Sequence, residues 1–248
     1  MKKIKKFTLS FLLIIAILIT ISGVVLHQKT YQASSEAQTA AKTAESTKDY
    51  LFFQSSGTAK ASIVFYQGAL VEETAYASLA KNLAQEGFDV YLLKTPLNLP
   101  VLSSNKALKV TAKNNLSNVY LAGHSLGGVV ACLNAADSDS QAISGLILLA
   151  SYPSEKTNLS DSNLKVLSIT ASNDKVLQWD NYEKAKKRLP DDTEYLTIVG
   201  GNHSGFGDYG KQTKDGKATI SQTEQESQIT LGITDFICLL YTSPSPRD

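Results

Sequence analysis

The sequence predicts an α/β fold: a mainly parallel, doubly wound sheet with helices on both faces and no inserted cap domain. Three observations lead there. Short apolar runs alternate with amphipathic stretches from Asp49 to Phe236, the pattern of strand-helix repeats. Those runs are apolar throughout, as strands covered on both faces require. Only about 15 residues separate the run ending at Ala150 from the run starting at Val166, too few for a helical cap.

The elements follow in order. Residues 51–54 and 61–66, rich in β-branched and aromatic side chains, predict the first two strands. Over 74–85, apolar and small residues recur at helical spacing through Tyr76, Leu79 and Leu83. Gly87 stops that helix before a strand at 89–93. A weaker helical pattern covers 105–114. Residues 119–122 then form a strand and 129–136 a buried helix. Strands at 145–150 and 166–170 precede a charged amphipathic helix at 179–189, closed by Pro190. A last strand at 194–199 and a helix at 223–236 complete the series.

The rest of the chain is organised around this domain, assigned to residues 49–237. A basic start, residues 1–6, precedes residues 7–26, which carry no charge. Roughly 20 apolar residues at about 1.5 Å each span the hydrocarbon core, and the lysines before them predict an N-inside signal anchor. A cleaved signal peptide is the second reading. Either one places the domain outside the cytoplasmic membrane, on its surface or secreted. Residues 27–48, rich in Gln, Ser, Thr, Ala and Lys, read as a linker, either a tether or a short stalk helix. Residues 238–248 break the preceding helical pattern and resemble a translated sequencing adapter, so the natural sequence is expected to stop near Ile237. A net charge of +1 without a basic block argues against a nucleic-acid partner. Two cysteines and three histidines, scattered, offer no metal-ligand spacing, and no cofactor motif is seen. Oligomeric state is not legible.

The chemistry is carried by Gly123-His124-Ser125-Leu126-Gly127-Gly128, set between a predicted strand and a predicted helix. A turn that sharp strains the serine backbone, and flanking glycines let strand and helix approach. It lifts the Ser125 hydroxyl to the end of the sheet and aims the Leu126 N–H at a developing oxyanion. A serine needs a base. His27 lies in the stalk and His124 flanks the serine with its side chain turned away, so His203, after the last strand, is the base. The orienting carboxylate should follow a strand between Ser125 and His203. Asp174 does; Asp208 is the fallback. A second oxyanion donor is expected after residues 61–66: the N–H of Ala69, with Gly68 and Leu70 as rivals. Gly68, Leu70 and Tyr152 are the candidate pocket residues.

With these residues placed, the stretch from Asp49 to Phe236 resembles compact bacterial alpha/beta hydrolase family proteins and is distantly similar to dienelactone hydrolases. The segments carrying the resemblance are 63–72, 123–128, 147–153, 172–174 and 200–210. Gln67 departs from the proline expected before the loop glycine, and Ser125 stands where true dienelactone hydrolases have cysteine. The resemblance implies a Ser-His-Asp triad, often behind an N-terminal membrane anchor. The expected activity is hydrolysis of carboxylic esters or related acyl groups, on small molecules or at the cell surface. An acyltransferase with the same triad and a non-catalytic surface binding module are the alternatives.

Overall fold

The computed structural model describes residue 23 and residues 28–137 and 142–242. Residues 7–26, read as an anchor, lie outside the described residues apart from Gly23. Among the described residues no helix is long and apolar enough to cross a membrane.

Eight strands form one sheet: β1 (Glu45–Ser46), β2 (Tyr50–Phe53), β3 (Ala61–Tyr66), β4 (Phe88–Leu93), β5 (Val119–His124), β6 (Ile143–Leu149), β7 (Lys165–Ala171) and β8 (Glu194–Ile198). Their spatial order is β1-β2-β4-β3-β5-β6-β7-β8. β2 pairs antiparallel with both β1 and β4, and the other contacts are parallel. The chain runs outward from β3 to β4, then jumps back across β3 to lay down β5. The carboxyl ends of β3 and β5 therefore face each other at a topological switch point, where open α/β sheets form their sites.

The helices are α1 (Ser35–Ala41), α2 (Ala77–Gln85), α3 (Lys106–Lys113), α4 (Leu126–Ala136), α5 (Trp179–Ala185) and α6 (Gln222–Thr242). Alternate strand residues face opposite sides, which splits the core in two. Ile63, Phe65, Leu92 and Ile147 pack with α1, α2 and α6. Val64, Leu121, Leu146 and Val166 pack with α3 and α4. The buried hydroxyl of Tyr182 in α5 pairs with Ser168 on that second side. Between β6 and β7 the chain crosses as a loop with no helix, as the short spacing predicts.

Two readings of the ends need correction. Residues 27–48 are not simply a linker: the compact unit begins at Tyr31. Tyr31 bridges Val71, and Ser34 caps α1 through the Ala37 N–H while its hydroxyl donates to Asp208 at 2.5 Å. Ala33, Ala37 and Ala40 are buried against the first face of the core. At the other end, α6 runs on through Cys238 to Thr242, because nothing in that stretch is Gly or Pro. Residues 243–248 lie outside the described residues.

Removing residues 31–48 should therefore cost stability. Three buried alanines and the cap contacts amount to roughly 2–4 kcal/mol. A chain starting at Asp49 should melt roughly 5–12 °C below one starting at Tyr31. Thermal melts of the two, agreeing within 2 °C, would return the segment to linker status.

Candidate active site

The site begins with a steric constraint. Ser125 sits at φ 52° and ψ −121°, a left-handed conformation that costs a non-glycine residue on the order of 1–3 kcal/mol. It is held there by its N–H, donated to Leu149 O at 2.9 Å, and by the Ser151 hydroxyl, donated to Ser125 O at 2.6 Å. The neighbouring glycines have no room for a side chain. A Cβ on Gly123 would lie 2.3 Å from the Gly127 carbonyl carbon. One on Gly127 would lie 2.3 Å from Tyr66 O, and one on Gly128 would strike Ser151 at 2.5 Å. Helix α4 therefore starts immediately after Ser125, three residues earlier than the apolar pattern suggests, with its positive end at the serine.

The predicted base and acid meet. His203 Nδ1 lies 2.7 Å from Asp174 Oδ2, and both side chains are buried. The other carboxylate oxygen, Oδ1, accepts the Val176 and Leu177 N–H groups at 2.8 Å each. A carboxylate so occupied accepts only, which places the imidazole hydrogen on Nδ1 and leaves the Nε2 lone pair free to take a proton. The Trp179 indole N–H donates to Asp174 O at 3.0 Å and pins the acid loop from outside. Ser125 and His203 line the same cleft of about 220 Å³, with Leu126, Val129, Tyr152 and Leu177 among its other walls.

Of the loop after β3, the amides of Gly68 and Leu70 are already committed, to Tyr76 Oη at 2.9 Å and Asn98 O at 2.8 Å. Ala69 is exposed, and among the described residues its N–H has no hydrogen-bond acceptor. Tyr152 lines the cleft as expected; Gly68 and Leu70 do not. Gln67, in place of proline, is buried and donates to Thr95 Oγ1 at 2.9 Å. Asp208, the fallback acid, instead accepts from Ser34 at the start of α1.

His124 does not line the cleft with Ser125, and its side chain turns to Tyr76 and His203. Its ring is buried, 4.5 Å from the His203 ring and 5.6 Å from Phe206. Tyr76 Oη accepts from Gly68 and lies 2.8 Å from His124 Nδ1, a hydrogen bond whose donor is set by the His124 tautomer. A Cβ on Gly68 would meet both groups at about 3 Å, which is why that position is glycine. Burial, and secondarily the neighbouring His203, hold the His124 pKa well below 6.5. Tyr76 was legible only as a helix-face aromatic, because its partner is 48 residues away.

The profile of the alpha/beta hydrolase family matches residues 62–227. The chain belongs to that family. No curated protein matches the sequence. Among solved structures it is similar to a predicted CIB-like hydrolase from Thermoplasma acidophilum, at 13% identity and TM-score 0.58, covering 75% of this chain and 93% of that one. A monoacylglycerol lipase from Paleococcus ferrophilus aligns at 13% identity and TM-score 0.57, covering 75% and 98%. Esterase Est2 from Thermogutta terrifontis aligns at 12% and 0.53, covering 80% and 90%. At these identities the likeness is one of fold.

Two predictions follow from the geometry. Gly127→Ala should lower stability by at least about 2 kcal/mol in urea unfolding, since backbone lies on the far side of the missing Cβ. His124 is held neutral in the folded state and titrates near 6.5 when unfolded. The unfolded chain therefore binds the extra proton first, and stability contributed above pH 6.5 is lost as pH falls below it. His124→Gln should flatten the slope of stability between pH 6.5 and 5; an unchanged slope would reject a buried neutral His124.

Proposed function

We propose that this member of the alpha/beta hydrolase family is a serine hydrolase of carboxylic esters or related acyl compounds, acting through Ser125, His203 and Asp174. The observation that carries the reading is the buried 2.7 Å contact between His203 Nδ1 and Asp174, made at the same cleft that exposes Ser125. The roles then follow. His203 Nε2 takes the Ser125 proton as the oxygen attacks a carbonyl, and Asp174 orients the ring and stabilises the imidazolium. The Leu126 and Ala69 amides stabilise the tetrahedral oxyanion. As the intermediate collapses, His203 returns the proton to the departing alcohol. Water then repeats the sequence on the acyl-enzyme. A site crossed by no helical cap between β6 and β7 stays open to water, which favours hydrolysis over transfer to another alcohol.

Residues 7–26 support a further part of the proposal, a membrane anchor that holds the domain at the outer face of the cell membrane. The partners expected there are small-molecule or surface-bound acyl substrates.

Ser125→Ala should lower kcat/KM on a short-chain aryl ester by on the order of 10⁴-fold or more, with an unchanged melt. Full activity in that variant would remove Ser125 from the chemistry.

A further inference from the structure

Asp215 lies in the segment between the short 3₁₀ turn Ser204–Phe206 and α6, in neither the acid loop nor the base loop. Its carboxylate reaches both. Oδ2 accepts the Ser204 N–H at 2.8 Å, and Oδ1 accepts those of His203 at 3.3 Å, Lys175 at 3.4 Å and Gly216 at 2.7 Å. Lys175 directly follows Asp174 in the chain. One half-buried carboxylate thus holds backbone on either side of the His203–Asp174 contact.

Neighbouring contacts press the segment down. Gly216 rests against the acid loop so closely that a Cβ there would lie 1.8 Å from Asn173 O. The Asn173 side chain donates to Lys217 O at 3.1 Å, and that of Asn202 donates to Gly216 O at 2.8 Å. From the other side, Gln225 of α6 accepts the Asn202 N–H at 3.0 Å and donates to Asn202 O at 2.8 Å. Asn202 and Asn173 are each one residue from a member of the buried pair, so the strap grips both loops where their spacing is set.

We propose that Asp215 is a positioning residue of the active site: it ties the loop of the acid to the loop of the base and so fixes the His203 ring against Asp174 and Ser125. It touches no substrate. Charged acceptors bind amides more strongly than neutral ones, so a carboxylate suits this place better than an amide. An error of about 1 Å in the position of a reacting group can cost 10²-fold in rate, and that is the scale of effect a slack strap should have.

The assignment rests on Ser125, His203 and Asp174 acting as described above, and one experiment separates the two. Wild type, Asp215→Ala, Asp215→Asn and Gly216→Ala are compared for melting temperature, kcat and KM on a short-chain aryl ester, and rate of fluorophosphonate labelling at Ser125. Asp215→Ala should lose about 10- to 100-fold in kcat and in labelling rate, with KM within about twofold. Asp215→Asn, which keeps one acceptor oxygen, should lose less. Gly216→Ala, which displaces the strap without touching a carboxylate, should behave like Asp215→Ala. Where Asp215→Ala does not fold, the isosteric Asn variant decides by the same criteria. Folded variants with wild-type kcat and labelling overturn the assignment, as does a loss carried by KM alone. If wild-type Ser125 fails to label, the underlying reading falls and this assignment with it.

Discussion

The site depends first on how closely one helix approaches the ends of two strands. Because β5 is laid down beside β3, the start of α4 must pass within van der Waals contact of Tyr66 and Gln67. Glycine alone fits at 123, 127 and 128. That approach leaves Ser125 no ordinary backbone conformation, and it is pinned by Leu149 on one side and Ser151 on the other. The same crossing sets Tyr66 and Gln67, where β3 passes into its loop, directly against Gly127. A core built for packing thereby sets Ser125 at the start of α4 and in the wall of the cleft.

His203 and Asp174 are held by a different device. The loops after β7 and β8 are joined by polar contacts, among them the Ser172 N–H donated to Ile198 O at 3.0 Å and the Asn173 N–H donated to Gly201 O at 2.9 Å. Asp174 is saturated by two amides of its own loop and by the imidazole. The Gln225 amide occupies the space that a Cβ on Gly201 or Gly205 would enter. Behind the imidazole, the Tyr76–His124 pair and Phe206 form a wall without charge, which favours neither displacement of the ring nor a second proton near it. Cys132, buried in α4 with its pKa pushed up to about 12, takes no part.

Much of this was legible in the sequence because it is local. Each predicted strand is present within two residues at either end, since apolar runs bounded by glycine and polar residues report burial directly. Asp174 and His203 were found from chain order and strand ends, which is topological information. The helix α1 was legible only as one of two readings, a short stalk helix or a tether, because it is seven residues long and buries only alanines, so its apolar signal is faint. His124, Tyr76 and Asp215 were missed for another reason. Their partners lie 48 residues away in the first case and up to 40 in the last, and no spacing rule encodes such contacts.

The central claim is covalent: the acyl group passes through Ser125. Rapid quenching of the protein during turnover of a slowly deacylated aryl ester, followed by peptide mass spectrometry, tests it most directly. The account predicts an acyl adduct on the peptide containing Ser125, formed before steady state and lost on chasing with water alone. Turnover with no adduct, or with the adduct on another residue, would contradict it.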